Sequence, residues 1–442
     1  MANINRGLSS SQIIILGFAA LILLGSLLLM LPFATQSGQG ASFFDALFTS
    51  TSAVCVTGLV IHDTATYWST FGHIIILLLI QIGGMGIVTV AVAVFVLSGK
   101  RIGLKQRSTM QEAISAHKVG GIVRLTGFIV RTTLLIELIG ALIMAPSFIK
   151  EFGTLKGIWY ALFHSISAFC NAGFDLMGVK SPFSSVTYFV GNPAINFAIM
   201  ALIVVGGIGF MTWEDIKTNK LRIRECRMQS KVILSTTLAL ILLPAIYFYF
   251  LEFSDMPLNE RIWSSLFQSV TPRTAGFNVV DLTKISEVGS AITILLMLIG
   301  GSPGSTAGGM KTTTLAVMLS TMVSVFQRRE HTHFFGRRVN EDTIRSAATV
   351  LMMYITLFLT GGLIISRVEG LPLLSCLYET ASAIGTVGLS LGITPGLGII
   401  SKIILILLMY IGRVGGLTLI FSTLSASRGN TSRLPQEKIT VG

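Results

Sequence analysis

Four short segments of this chain share one pattern, and that internal repeat limits the possible fold more than any single residue does. They read ALFTSTSAVCVTGL (46–59), ALFHSISAFCNAGF (161–174), SLFQSVTPRTAGF (265–277) and CLYETASAIGTVGL (376–389). Each opens on Leu and an aromatic, at Leu47-Phe48, Leu162-Phe163, Leu266-Phe267 and Leu377-Tyr378. Each places a hydroxyl four residues past the aromatic, at Ser52, Ser167, Thr271 and Ser382. Each closes on a glycine followed by Leu or Phe, at Gly58, Gly173, Gly276 and Gly388. The glycines recur about every 110 residues, so four units account for nearly all of the 442 positions.

The segments lie between long apolar stretches. Hydrophobic residues make up 52% of the chain and charged ones 12%, too few to cover a soluble protein of this size. The runs 13–33, 74–97, 192–211, 232–251 and 347–365 approach or reach the ~20 residues that span a bilayer as a helix. Shorter runs lie at 291–300 and 403–411. An all-α integral membrane protein is predicted. The first run follows Arg6 and invites reading as a signal peptide, but it exceeds the ~7–15 residues of such a core and lacks a clean cleavage site. It is expected to stay as the first spanning helix.

The net charge of +12 does not point to nucleic acid, because the basic residues alternate between connectors. Lys100, Arg101, Lys105, Arg107, Lys118 and Arg124 form one group; Lys217, Lys220, Arg222, Arg224, Arg227 and Lys231 a second; Arg328, Arg329, Arg337, Arg338 and Arg345 a third. Segment 34–72 has no Lys or Arg. By the positive-inside bias, both termini and these three connectors face the cytoplasm of a multi-pass protein in the cell membrane, where they can also touch anionic membrane lipid or an acidic partner. Cys55, Cys170, Cys226 and Cys376 show no CxxC spacing, so neither a disulfide framework nor a metal site is indicated.

Each unit reads as a spanning helix (M1), the short block (P) and a second spanning helix (M2). The predicted units are 12–97, 125–214, 232–326 and 344–424, separated by basic connectors 98–124, 215–231 and 327–343 and followed by a cytoplasmic tail at 425–442. The block is too short and polar to cross a bilayer. Its helix-compatible first half and glycine-ended second half suggest a re-entrant hairpin, since irregular backbone survives at membrane depth only where protein or water covers it. The second helices carry glycine clusters at Gly83-Gly84-Met85-Gly86, Gly206-Gly207-Ile208-Gly209, Gly300-Gly301 and Gly412-Arg413-Val414-Gly415-Gly416. Close helix approach is the plain reading of these, and for the first cluster the only role expected.

A cation crossing a bilayer must exchange its water for other oxygens, and backbone carbonyls supply them without fixed charge. Small, hydroxylated or β-branched residues precede each closing glycine: Val56-Thr57, Asn171-Ala172, Thr274-Ala275 and Thr386-Val387. A half-helix ahead of each would aim its partly negative carbonyl end at the pathway. The competing reading is a helix-packing repeat in a transporter without an axial pore. At the second position after the Leu, Thr49, His164, Gln268 and Glu379 are equivalent; four chemistries at one place suggest a structural role. Asp45 is suited to a helix N-terminus.

The four units, each with one closing glycine, resemble the Trk/Ktr/HKT superfamily of potassium transporters, most closely its Ktr branch, from about residue 12 to 425. The resemblance implies four M1–P–M2 units in pseudo-fourfold arrangement around one pore, and potassium uptake rather than an enzymatic reaction. It implies that carbonyls of Val56, Thr57 and Gly58, of Asn171, Ala172 and Gly173, of Thr274, Ala275 and Gly276, and of Thr386, Val387 and Gly388 line a selectivity filter. The third block is one residue short and carries Pro272-Arg273, so its register is open.

Residues 300–313, GGSPGSTAGGMKTT, interrupt the third M2. Proline costs ~3 kcal/mol within a helix and glycine ~1 kcal/mol. Gly304 to Lys311 nearly fits a phosphate-binding loop, but Met310 breaks its spacing. The remaining readings are a passive kink or an intramembrane loop facing a water-filled cavity. By resemblance the loop 302–313 gates passage below the filter, through Ser302, Gly304, Ser305, Thr306, Gly308, Gly309 and Lys311. Arg413, in an apolar helix, is costly unless it faces a cavity or an ion-pair partner. The resemblance makes it a barrier to permeating cations; an interhelical salt bridge is the alternative.

The resemblance further implies a homodimer on a cytoplasmic, nucleotide-binding ring of KtrA type, docked on the basic connectors and tail. Nothing between 1 and 442 resembles a nucleotide-binding domain. No cofactor is expected in this chain; potassium is the permeant ion, and sodium a candidate activator on which the residues are silent. A less selective sodium and potassium channel or a solute symporter are the alternative functions. A non-transporting scaffold would not need four matched blocks.

Overall fold

A computed structural model of the chain describes residues 9–97, 108–111, 121–220 and 222–415. The tail 425–442 and most of connector 98–124 lie outside the described residues. Every block begins with a long apolar helix: α1 Ser10–Leu29, α5 Ile122–Phe152, α9 Met228–Tyr247 and α13 Glu341–Glu369. These four, with α9 extended by one turn to Glu252, are long and apolar enough to cross a membrane. Their ends follow local chemistry. Ser9 and Gln12 form a reciprocal capping box at the start of α1, and the Asn340 side chain accepts from the Asp342 amide at the start of α13.

Behind each long helix comes a short one: α2 Phe43–Val54, α6 Thr154–Phe169, α10 Leu258–Val270 and α14 Leu373–Gly385. None reaches the length of a bilayer-spanning helix. Ser42 caps α2, with Asp45 in its first turn. Phe48, Phe163, Phe267 and Tyr378, the repeated aromatics, are all buried, so the opening of each block is its anchor in the core.

The second apolar helix of each block departs from expectation. Sequence reading breaks only the third of them; in the structure all four are divided or ended at their glycines. Thr70–Met85 (α3) passes to Ile87–Leu97 (α4) across Gly86 at φ +84. Pro193–Gly207 (α7) and Phe210–Thr218 (α8) meet at 91° across a break at Gly209, φ +94. Glu287–Leu298 (α11) and Thr312–Phe326 (α12) flank the loop 299–311. Ile399–Val414 (α15) stops at Gly415, φ +89. The left-handed backbone at these glycines disfavours any L side chain, and it occupies the fourth position of GGMG, GGIG and GRVG alike. The chain closes on itself where the Tyr410 hydroxyl in α15 donates to the Ile15 carbonyl in α1 at 2.7 Å.

Candidate functional site

The four short helices end beside one another, and the residues that follow share a backbone pattern. Val56, Asn171, Thr274 and Thr386 adopt φ of +50, +56, +68 and +51, and the glycines two positions later have φ of +88, +69, +81 and +95. The residue between is not left-handed in any copy. Alternating handedness turns successive peptide groups to one side, which a helix or strand does not do. Counted back from the glycine, the third copy is in register with the others. Its missing residue is absorbed upstream: Ala275 N–H bonds the Thr271 carbonyl four residues back, whereas Thr57, Ala172 and Val387 reach five back to Ser52, Ser167 and Ser382.

The glycines meet in a closed ring. A Cβ on Gly58 would fall 2.5 Å from the Ala172 carbonyl oxygen, and one on Gly173 2.7 Å from that of Ala275. On Gly276 it would collide with the Val387 carbonyl oxygen, and on Gly388 with that of Thr57. First abuts second, second third, third fourth, and fourth first. The repeated hydroxyls brace the ring from behind. Ser52 and Ser382 each accept from the amide of their own glycine at 3.0 Å. The Ser167 hydroxyl donates to the Phe174 carbonyl at 2.6 Å, and that of Thr271 to the Phe277 carbonyl. This brace was unread in the sequence, although the recurrence of the hydroxyl marked it. Asn171 and Thr274 are joined side chain to side chain at 3.0 Å. The buried hydroxyls of Thr57 and Thr386 have no partner among the described residues.

The four equivalent positions in the short helices are all buried. His164 Nδ1 contacts the Tyr160 carbonyl at 2.7 Å, and its Nε2 accepts from the Leu176 amide at 3.4 Å. Glu379 accepts from the hydroxyls of Ser390 and Thr394. Gln268 donates to Thr293 at 3.4 Å. His164 and Glu379 thus tie their helices to the irregular segments that follow the ring. Arg273 is buried and turns to the Thr237 hydroxyl on α9 at 3.3 Å.

On one side the ring floors a cavity of about 450 Å3 that all four glycines line, together with Asp63, Asp175, Asn278, Asp281 and Ser390. The insertion 175–192 roofs part of it: the Phe183 amide donates to Asp63 Oδ2 at 2.8 Å, and Val186 N–H to the Asn278 carbonyl at 3.1 Å. The Thr283 hydroxyl and amide hold Asp281 below the usual carboxylate range. Burial pushes Asp175 up to about 7, against the Met177 amide that lowers it.

On the other side lies the loop 299–311. It is folded and fastened, not a simple kink. Ile299 and Met310 form a parallel bridge, and Gly300 N–H donates to the Met310 carbonyl at 2.7 Å. Ser302 and Thr306 amides bond the Gly207 and Gly206 carbonyls at 2.9 and 3.2 Å; Phe210 N–H returns to the Gly304 carbonyl at 2.7 Å, and Gly309 N–H reaches the Gly412 carbonyl at 3.1 Å. Ser302 pairs with Thr312 at 3.0 Å, Ser305 with the Ser302 carbonyl at 2.7 Å, and Thr306 with the Phe169 carbonyl at 3.0 Å. A Cβ on Gly308 would strike the Thr386 hydroxyl, so the loop touches the residue that opens the fourth ring segment. Lys311 Nζ closes the loop on its own Ala307 and Gly308 carbonyls at 2.9 and 3.2 Å.

Arg413 bridges three blocks. Its guanidinium donates to the Thr306 carbonyl in the loop and to the Gly83 and Gly84 carbonyls at the break between α3 and α4. Among the described residues it has no carboxylate in ion-pair distance, which removes the salt-bridge reading. It also corrects the expectation for the first glycine cluster. Packing is part of its role, since a Cβ on Gly83 would collide with the Val54 carbonyl. The break at Gly86 also leaves the Gly84 carbonyl without a helical partner and that of Gly83 with only the Gly86 amide at 3.2 Å, and Arg413 takes both.

Short helices converging on a ring of backbone oxygens, between long apolar helices, define a membrane protein built to pass ions. The chain belongs to the TrkH family of cation transport proteins, whose pattern matches residues 8–429, and it is not an enzyme. It is 40% identical to the potassium/sodium uptake protein NtpJ of Enterococcus hirae over 99% of this chain and 98% of that one. It is 38% identical to the Ktr system potassium uptake protein B of Bacillus subtilis, over 98% and 96%. The fold matches the crystal structure of the potassium transporter TrkH from Vibrio parahaemolyticus with a TM-score of 0.74 at 20% identity, over 96% of this chain and 87% of that one.

Proposed function

We propose that this chain takes up potassium across the cytoplasmic membrane through a single pore, formed by four M1–P–M2 units in pseudo-fourfold arrangement. The carrying observation is the closed ring of left-handed glycines. In this reading carbonyls of 56–58, 171–173, 274–276 and 386–388 replace the water of the ion, and the free hydroxyls of Thr57 and Thr386 add oxygens. The cavity with Asp63, Asp175 and Asp281 is the outer mouth, and the termini and basic connectors face the cytoplasm. The loop 302–313, fastened by Arg413, is the gate: its release opens the path, and the guanidinium charge opposes cations while it stays.

The relatives named for a Ktr system support a multi-component assembly. Here a homodimer of this chain sits on a cytoplasmic nucleotide-binding ring of KtrA type, which moves the gate. The name of the Enterococcus relative favours a second reading, in which sodium activates the pore or shares it with potassium.

The test is growth and potassium uptake in a strain without high-affinity uptake of its own, with this chain alone and with a KtrA-type subunit. Rescue at low potassium is expected, and dependence on the second subunit places gating in the complex. No rescue in either case, with the protein found in the membrane, rules out the potassium reading.

A further inference from the structure

A second cavity, of about 800 Å3, lies away from the ion path, at the start of α5. Arg124, Arg131 and Lys217 line it, with Gly127, Phe128 and Leu135. We propose that it binds the phosphodiester headgroup of an anionic phospholipid, and that one acyl chain of that lipid lies along α5.

Three independent features carry this. The first is charge. Arg124, Arg131 and Lys217 are exposed, and none has a carboxylate partner among the described residues. The contact recorded for Lys217 is with an aromatic face, its Nζ standing 4.4 Å from the centre of the Phe128 ring. That contact leaves the positive charge uncompensated and fixes where it sits. Three cations around one concavity call for an anion, and phosphate accepts from guanidinium at two oxygens at once.

The second is depth. Residues 132–149 of α5 carry one ionisable side chain, Glu137, which is buried and bound by Gln81 at 3.0 Å. Those eighteen positions rise ~27 Å, close to the ~30 Å hydrocarbon layer. Arg131 therefore stands at the edge of the hydrocarbon, and Arg124, two helical turns away, ~10 Å farther out among headgroups. Lys217 arrives at this level because the 91° break turns α8 away from α7.

The third is continuity. Directly inward of Arg131, Leu135, Leu138 and Leu142 follow at helical spacing and are 57%, 53% and 63% exposed. A headgroup among the three cations would have its chain on that apolar stripe. A soluble anion would use the cations and leave the stripe unused, and an acidic protein would not need a cavity whose inner wall is Leu135.

The full-length chain in dimyristoyl-phosphatidylcholine nanodiscs containing a minor fraction of phosphatidylglycerol, released into the gas phase, tests this by the lipids it retains. Retention of phosphatidylglycerol over phosphatidylcholine is expected, with R124Q/R131Q/K217Q losing about fivefold in preference per charge removed. R222Q/R224Q/R227Q removes the same charge elsewhere and is expected to retain lipid as the parent does. R131K, which keeps the charge, is expected to bind and covers a triple variant that fails to fold. Equal retention by parent and triple variant overturns the proposal. So does a rise in melting temperature with inorganic phosphate equal to that with phosphatidylglycerol, which assigns a soluble anion. A triple variant that turns from dimer to monomer in the same spectra reassigns the cavity to a second copy of the chain.

Discussion

The two faces of the glycine ring are made in opposite ways. Above and within the ring, four segments do the same thing: each has a left-handed residue, a second residue, a left-handed glycine and a hydroxyl brace. Beneath it, four glycine clusters at matching places differ in what they hold. The first gives carbonyls to Arg413, the second bends a helix by 91° and gives carbonyls to the loop, the third runs into that fastened loop, and the fourth brings the arginine and a carbonyl for Gly309. Under the proposed function, coordinating one ion from all sides demands equivalence, whereas blocking a path needs only a single obstruction, so the lower layer is free to diverge.

The sharpest way to break this comparison uses two glycines with nearly the same positive φ and different surroundings. Gly276, at φ +81, faces the Val387 carbonyl; Gly86, at φ +84, has only the Thr89 hydroxyl at 3.9 Å. Serine at either costs ~1–2 kcal/mol in backbone strain, but only at Gly276 must the ring open. Gly276→Ser is expected to lower potassium-over-sodium selectivity about tenfold or more, the equivalent of ~1.4 kcal/mol, by reversal potentials in planar bilayers. Gly86→Ser is expected to leave selectivity unchanged. Equal loss in both would mean that helix strain, not the ring, sets selectivity.

The lower layer is probed by Arg413→Gln. Three charge-assisted bonds, to Thr306, Gly83 and Gly84, would go, each worth ~1.5–3 kcal/mol while the charge stays buried. The loop loses its tie to the first block, and the path loses a positive charge. Rubidium influx into proteoliposomes is expected to rise several-fold with selectivity kept. Lys311→Gln should act in the same direction and more weakly, because Lys311 holds only carbonyls of its own loop. Unchanged or reduced influx in Arg413→Gln would make the loop a structural brace and not a gate.

How far the sequence could be read follows the same division. Four copies of Leu-aromatic, hydroxyl and glycine located the ring residue by residue, because a fourfold constraint leaves four marks. The third copy's register stayed open because the missing residue could be absorbed anywhere between Thr271 and Gly276; the backbone absorbed it just after Thr271, with a bond to the fourth residue back in place of the fifth. The breaks at Gly86, Gly209 and Gly415 were missed although the spacing GGMG, GGIG and GRVG was in view. A glycine pair in an apolar helix reads as close packing, and only the backbone angle tells packing from a break. Arg413 was visible as a costly charge, but its acceptors are main-chain oxygens of Gly83, Gly84 and Thr306, which carry no mark in a sequence. The pair of half-buried Gln81 and buried Glu137 was missed too, being joined across 56 residues by two bonds from one amide.

The smallest expected effect belongs to the cavity on the ring, the outer mouth in the proposed function. Asp281 and Asp175 both line the cavity, but they titrate differently. Asp281, held low by Thr283, is anionic at any physiological pH. Asp175, pushed up to about 7 by burial, is neutral below that value and negative above it. With the cavity facing outward as proposed, the local cation concentration at the ring is expected to rise as outside pH rises through about 7. One added charge seen through water and partly buried walls is worth ~1 kcal/mol or less, so the potassium concentration for half-maximal uptake should fall about two- to fivefold between pH 6 and 8. Asp175→Asn is expected to flatten that profile at its low-pH level without altering selectivity, since the ring carbonyls are untouched. A profile that survives in Asp175→Asn would assign the titration elsewhere, and a change in selectivity would show that the mouth and the ring are not separate devices.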